Sequence, residues 1–314
     1  MTVNIDITKE LKAVEKLIKS DINKEKTILG LYNYIFKSDG KKIRSRLNLI
    51  ASSSNKNSDR YKLASIIELL HTATLVHDDV VDNASTRRGA ISVNSLWSNA
   101  HGVLIGDYIY SKAFMLMVEI GKKDILAELA DATNDISQGE LIQLDAISNI
   151  KISLNKLKKI SYFKTGRLFE ASAKTGAMLA GANKNFIKNI SESAKNIGIL
   201  FQIKDDLLDY SNSSKTGKQS FQDLKEGKIT YPFFFALKNS SQKEKKQLMS
   251  FLGNQRLNEK EALALISKLN GLTKTQQLAE KFYTSSIDAA KTINNQFIRQ
   301  EMIELANIAL NREK

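Results

Sequence analysis

From Tyr61 the chain reads YKLASIIELLHTATLVHDDVVD, in which Leu63, Ile66, Ile67, Leu70, Thr74 and Leu75 recur at three- and four-residue intervals. That spacing places them on or near one face of an α-helix. Similar apolar stripes run over roughly 102 to 120, 123 to 146, 153 to 180 and 184 to 210, and again in several segments after 241. No series of short alternating runs supports a sheet. A single proline, at 232, leaves long regions free of the strongest helix breaker. The pattern predicts an all-α fold.

Turn signals fall at SDGKK near 38 to 42, SSSNKNSD at 52 to 59, NASTRRGA at 83 to 90 and SNSSKTGKQSFQDLKEGK at 211 to 228. None is a repeat or a low-complexity boundary, so residues 1–314 read as one domain interrupted by loops.

Composition narrows the chemistry. With 314 residues and 42% hydrophobic content, a sizeable core can form. Zero cysteines exclude disulfides, thiolate metal sites and cysteine nucleophiles. The opening MTVNIDITKELKAVEKLIKS lacks an apolar core of signal-peptide length, and no stretch of about 18 apolar residues runs without charges. A soluble cytoplasmic protein is the expectation. The net charge of +13 accompanies abundant lysine, asparagine and isoleucine throughout, which accounts for much of it. An acidic substrate or an anionic membrane surface is compatible with the rest. Nucleic acid is not expected, because no arginine stripe with interleaved aromatics occurs.

The sharper signal is HDDVVDNASTRRG. Asp78 and Asp82 lie four residues apart on one helical face with Asp79 at its shoulder, and Arg87 and Arg88 follow. Alone, this could be a solvated helix end. FQIKDDLLDY repeats the spacing at Asp205, Asp206 and Asp209, again closing an apolar helical run. Two such clusters in a chain with three histidines point to hard oxygen ligation of Mg²⁺, an ion that combines carboxylates with phosphate oxygens. Zinc would need His71, His77 and His101 without cysteine. Basic residues accompany both clusters: Lys41, Lys42 and Arg44 in the early turn, Arg87 and Arg88 after the first triplet, Lys218 and Lys228 after the second. Metal-bound carboxylates facing cations make a container for diphosphate, and no Walker loop is present. His71 lies two turns before Asp78 on the same face, whereas His77 has no such alignment and reads as structural or supporting. Small residues among large apolar ones in GRLFEASAKTGAMLAG and GVLIGDYIYSKAF permit close helix packing, and equally leave room for a long apolar substrate.

Taken in order, GKKIRS, ELLHTATLVHDDVVDNASTRRG, GDYIYSKAF, GELIQLD, YFKTGRLFEASAKTGAMLAG, FQIKDDLLDY and GKQSFQDLKEGKITYP resemble the trans-isoprenyl diphosphate synthases, or polyprenyl synthetases. The resemblance covers most of the chain. It implies an isoprenoid synthase helical bundle with a central active-site cavity, a homodimer, and contact with a membrane surface on product release. It assigns Asp78, Asp79, Asp82, Asp205, Asp206 and Asp209 to Mg²⁺, as three ions once substrate is bound. Arg87, Lys164, Lys218 and Lys228 fall at contacts to an allylic diphosphate such as farnesyl diphosphate. Gln202 lies beside the reacting chain and Thr165 is among the substrate-binding residues, while Lys41, Arg44, His71 and Arg88 match an isopentenyl diphosphate pocket. Of these, Asp78, Asp79, Asp82, Arg87, Lys164, Gln202, Asp205 and Lys218 form the implied catalytic set.

The implied reaction ionises the allylic diphosphate, lets the double bond of isopentenyl diphosphate attack, and loses a proton to the released diphosphate. Because water competes, ordering of the 211 to 228 loop over the site is expected. In this family bulky residues just before the first triplet cap short products. Here they are the small Ala73 and Thr74, so a long product is expected, with Leu70, Ile67 and residues near Met115 and Met117 as farther walls. Resemblance to bacterial members through GDYIYSKAFMLMVEI and LADATNDISQGELIQL implies a product of seven to nine isoprene units, eight in the members it resembles most, destined for quinone side chains.

Three positions depart from the family pattern. Ser45 replaces a proline, Asp39 a glycine, and Phe221 a glycine in the lysine-bearing loop, where a side chain disfavours positive φ and a changed loop shape is expected. A terpene cyclase is disfavoured by the second full triplet and the isopentenyl pocket, and a noncatalytic partner subunit by both triplets being intact. A purely structural helical protein would leave both triplets unexplained.

Overall fold

In a computed structural model, residues 5–37, 40–211 and 220–312 are described. They are helical almost throughout and divide into two compact units, Met1–Thr133 with Ala171–Ile190, and Asn134–Glu170 with Ser191–Lys314.

The first unit holds α1 (Ile7–Ile18), α2 (Lys26–Ile35), α3 (Ile43–Ala51), α4 (Asp59–Val81), a hairpin of β1 (Thr86–Arg87) and β2 (Ala90–Ile91), the single turn α5 (Val93–Leu96) and α6 (Asn99–Ile120). Helix α4 is its centre, packed against α1, α3 and α6. Leu63, Ile66, Ile67 and Leu70, read from spacing as one face, are all fully buried. Contact between α4 and α6 is close because α6 carries glycine where it meets the helix: a methyl on Gly106 would collide with the ring of His77. Asn48 of α3 donates to the Ser172 carbonyl at 2.8 Å, a buried tie to the chain segment that returns to this unit.

From the first unit the chain runs through α7 (Lys123–Leu144) into the second. There follow α8 (Leu154–Ser161), one π-helical turn (Tyr162–Gly166), α9 (Arg167–Leu179) and α10 (Lys184–Leu208), the last two also shared between units. The second unit continues with the short α11 (Gln222–Lys225), α12 (Tyr231–Asn239), α13 (Gln242–Phe251), α14 (Glu259–Lys268), α15 (Gly271–Lys291) and α16 (Gln296–Leu310). Pro232 opens α12, a position where its missing N–H costs nothing. Ser241 and Glu244 form a reciprocal capping box at the start of α13.

Two expectations are corrected. Residues 83 to 90 read as a plain turn, but they include most of a small antiparallel hairpin, with Thr86 opposite Ile91 and Arg87 opposite Ala90. Arg88 and Gly89 at its corner have φ of 52° and 78°, which gives the twist a two-residue hairpin requires. The continuous stripe over 153 to 180 is interrupted by the π-turn. Its backbone is approached so closely that a Cβ on Gly139 of α7 would lie 3.0 Å from the Lys164 nitrogen. Periodicity does not register such a bulge, which adds one residue to a turn without changing which residues are apolar.

Candidate active site

In the first unit the acidic triplet closes α4. Asp78 and Asp79 occupy its last turn, and Asp82 caps it, donating its N–H to the Asp78 carbonyl at 2.8 Å. Asp79 is buried and accepts the Arg87 Nε–H at 2.7 Å. Burial pushes the Asp79 carboxyl above its ordinary range, while Arg87 pulls it back. Burial works against the Arg87 charge, but Asp79, Asp78 and Asp82 outweigh it and hold the guanidinium more firmly protonated. The sequence left open whether these residues need pair with each other at all; Arg87 and Asp79 do.

Arg88 projects from the hairpin corner, its guanidinium lying against Gly40, where an added Cβ would come within 2.7 Å of Nη1. Arg44 approaches His71 with Nη1 at 3.0 Å from Nε2. A guanidinium can only donate, so that nitrogen accepts. Burial first, then Arg44, Arg88 and Arg87, drive the His71 pKa well below its ordinary value. In the first unit a neutral histidine thus lies among cations, at the foot of the acidic helix end. Lys41 is exposed, and Lys42 pairs with Glu15 of α1. His77 contacts the Val103 carbonyl at 3.1 Å and stacks on Tyr110, which agrees with its structural reading.

Ala73, Leu70 and Ile67 are fully buried, and Thr74 turns its hydroxyl onto the His71 carbonyl at 2.8 Å, sparing the core an unpaired donor. Of the farther walls, Met117 is buried, but Met115 is 68% exposed. A helix has two sides, and Met115 occupies the one turned away from α4. Ser45, in place of proline, shares its one O–H between the Ala64 carbonyl at 3.0 Å and Glu68 at 2.9 Å, tying α3 to α4 through a buried hydroxyl.

In the second unit the elements bring Lys164, Thr165, Gln202, Asp205, Asp206, Asp209 and Lys228 into one neighbourhood. The Thr165 hydroxyl donates to Gln202 Oε1 at 2.7 Å, and Gln202 Nε2 donates to Asp206 Oδ1 at 2.9 Å. The Tyr231 N–H reaches the other Asp206 oxygen at 3.3 Å. Burial, then Asp223, raises the Asp206 pKa well above the carboxylate range. Burial and Asp223 likewise raise Asp209, although the Gln222 and Asp223 N–H groups at 2.9 and 3.3 Å oppose them. Asp209 thereby caps α11.

Lys164, on the π-turn, donates to Glu140 at 3.0 Å and Gln143 at 3.1 Å, while Lys228 pairs with Glu226 at 2.7 Å. Both ammonium groups line a cleft with Gln202 and Asp206, and its apolar wall includes Leu157, Ile160 and Ile229. Phe221 keeps the left-handed backbone that glycine would favour, φ 59° and ψ 26°, with its ring buried edge-on against Tyr210 at 5.1 Å. Burial of the ring offsets the strain, so at this residue the expected departure from a glycine-like conformation does not occur. Lys218 and Asp39 lie outside the described residues.

The donor chemistry suits Mg²⁺. Like-charged carboxylates crowd each other in the second unit, a condition a divalent cation relieves. Among the described residues no three acidic or histidine side chains form a ready cage for one ion. Mg²⁺ needs none, because it takes one or two carboxylates and fills its octahedron with water and phosphate oxygens.

Several contributors escape sequence reasoning. Asp223 sits in the quoted FQDLKEGK without a spacing that marks it, yet it is the neighbour that most raises Asp206 and Asp209 after burial. Glu140 and Gln143 hold Lys164 from another helix. Arg312 reaches Asp205 at 3.1 Å from the far end of the chain, and nothing in its surroundings signals it.

Comparison with known proteins completes the description. A family model described as polyprenyl synthetase matches residues 25–269. The octaprenyl diphosphate synthase of Escherichia coli (strain K12) is 32% identical over 318 residues, covering 99% of this chain and 98% of that protein. The crystal structure of a decaprenyl diphosphate synthase from Rhodobacter capsulatus superposes with a TM-score of 0.92 at 29% identity, over 98% of this chain and 97% of that one. That of a polyprenyl synthase from Caulobacter crescentus CB15, complexed with calcium and isoprenyl diphosphate, gives 0.90 at 30% identity, over 98% and 95%.

Proposed function

Because the chain belongs to the polyprenyl synthetase family, whose members are prenyltransferases, we propose that it is a Mg²⁺-dependent synthase of a long all-trans polyprenyl diphosphate. It adds isopentenyl diphosphate successively to an allylic diphosphate such as farnesyl diphosphate, ends at octaprenyl diphosphate, and supplies quinone side chains. The observation that carries this reading is the Thr165–Gln202–Asp206 hydrogen-bond chain beside Lys164 and Lys228 on one cleft.

Ionisation of an allylic diphosphate needs cations at the leaving group and, next to the carbon, dipoles that do not themselves attack. Lys164 and Lys228 supply the first by exchanging Glu140 and Glu226 for diphosphate oxygens, joined by Arg87 and Lys218. Gln202 supplies the second: its oxygen already takes the Thr165 hydrogen, so the amide presents an oriented dipole. Leu157, Ile160 and Ile229 keep water from the resulting allylic cation-like centre. Arg44, Arg88 and Lys41 hold the diphosphate of the attacking isopentenyl unit, with neutral His71 supporting Arg44. Asp78, Asp79 and Asp82, and Asp205, Asp206 and Asp209, would hold Mg²⁺, which when bound would supply charge neutralisation at the departing diphosphate. The Caulobacter complex with calcium and isoprenyl diphosphate supports this ligand class.

We further place the protein in the cytoplasm as a homodimer, with a membrane surface receiving the apolar product. No helix among the described residues is long and apolar enough to cross a membrane. The dimer reading rests on α6, whose side away from α4 presents Leu104, Met115 and Val118 at 67, 68 and 71% exposure. Incubation of purified protein with Mg²⁺, isopentenyl diphosphate and geranyl, farnesyl or geranylgeranyl diphosphate, followed by product mass, tests the activity. Octaprenyl diphosphate is expected; no elongation from any primer would refute an autonomous synthase.

A further inference from the structure

Arg312 follows α16 and lies with Nη1 3.1 Å from Asp205 Oδ1. Its guanidinium carbon is 4.1 Å from the centroid of the Phe201 ring. The arginine side chain is 13% exposed against 40% for the aspartate, so the cation is held largely out of water while the carboxylate stays open on another side. Phe201 precedes Asp205 by one turn of α10, which puts the aromatic platform and the carboxylate on one helix face. The platform is anchored in turn by the fully buried Phe169, ring centroids 5.8 Å apart. Helix α16 buries Met302, Leu305, Ala306 and Ala309, so a packed helix carries the chain to Arg312.

The three aspartates of this triplet are therefore held differently. Asp206 and Asp209 accept from neutral donors, namely the Gln202 amide and the backbone N–H groups of Tyr231, Gln222 and Asp223. Asp205 faces a full positive charge. A guanidinium so close to a carboxylate and a divalent ion on the same carboxylate repel one another, and stacking on Phe201 makes the guanidinium costly to move.

We propose that Arg312 is a resident counter-cation for Asp205: a positioning residue that occupies this carboxylate in the substrate-free protein and gives it up to a divalent ion when a diphosphate arrives. The proposal rests on the metal-dependent reading above. Its consequence is an order of events, because a divalent ion alone meets a competitor at Asp205, whereas one that arrives with diphosphate brings enough negative charge to displace it. The diphosphate then also draws the guanidinium away from the aspartate.

Mn²⁺ binding to the full chain, followed by electron paramagnetic resonance, tests this without reference to turnover. Wild type, Arg312→Gln and Phe201→Leu are titrated in the absence of substrate and again with saturating inorganic diphosphate. Without diphosphate, Arg312→Gln is expected to bind Mn²⁺ about 3- to 10-fold more tightly than wild type, and Phe201→Leu to fall between. With diphosphate the three converge. Equal or weaker binding by Arg312→Gln overturns the proposal, and if that variant does not fold, Phe201→Leu decides by the same criterion. Mn²⁺ binding that is absent from all three without diphosphate and appears equally in all three with it overturns the counter-cation and leaves the metal reading standing. Absence of Mn²⁺ binding in every arm overturns both.

Discussion

Gln202 joins Asp206 through a 2.9 Å hydrogen bond from Nε2 to Oδ1, and the same amide receives the Thr165 hydroxyl on its other end. One side chain thus fixes the orientation of a buried carboxylate and of the π-turn that carries Lys164. Replacing it with leucine leaves both partners without the amide, at a cost of about 1–3 kcal/mol for each buried group so stranded. We expect Gln202→Leu to lower kcat about 10- to 100-fold and to reduce Tm. Gln202→Glu should be worse, because it sets a second carboxylate against Asp206. Steady-state kinetics with thermal melts of both variants check the order.

His71 gives the fold a defined acid sensitivity. Its folded-state pKa lies well below the ordinary imidazole value, through burial and then Arg44, Arg88 and Arg87. The folded protein therefore resists a proton that the unfolded chain accepts, so this contribution to stability is complete above about pH 6.5 and is lost as pH falls below it. The loss is about 1.4 kcal/mol per pH unit until the folded group itself protonates. Urea unfolding at pH 7 and pH 5 should show a larger drop for wild type than for His71→Gln, which does not titrate.

Ala73 is fully buried on α4, one turn before His77 and five residues before Asp78. Ala73→Phe should shorten the product, at a cost of about 1–3 kcal/mol in overpacking. Met115→Ala, on the exposed side of α6, should leave chain length unchanged. Separation of products after extension with labelled isopentenyl diphosphate distinguishes the two, and unchanged length in Ala73→Phe would move the wall elsewhere.

Phe221 sets two effects against each other. Its left-handed backbone costs a side chain about 1–2 kcal/mol, which glycine would relieve. Removing the buried ring that meets Tyr210 costs about 3–5 kcal/mol. Packing wins, so Phe221→Gly should lower stability by about 2–3 kcal/mol and not raise it, as denaturant titration can show.

The exposed side of α6 makes the dimer testable. A charge introduced at Leu104 or Val118 would have to be desolvated in any interface built on that face, so Leu104→Glu with Val118→Glu is expected to yield a folded monomer. Light scattering after gel filtration measures it, and a persistent dimer would place the interface elsewhere.

By itself, the sequence determined the helical class and the identity of most charged groups, because both are written locally. Helical periodicity marks Leu63, Ile66, Ile67 and Leu70 as one face, and four-residue spacing puts Asp78 with Asp82 and Asp205 with Asp209. Burial of the first set follows from that face having nowhere else to go. What only the tertiary structure decided is which partner each group meets. The hairpin turns Arg87 back onto Asp79, while Lys164 meets Glu140 and Gln143 and Arg312 meets Asp205 through how helices pack and not by distance along the chain. Backbone conformation at Phe221 and the π-turn at Lys164 belong to the same class. In each, a locally unfavourable geometry persists because surrounding packing outweighs it, and a local pattern carries no record of that balance.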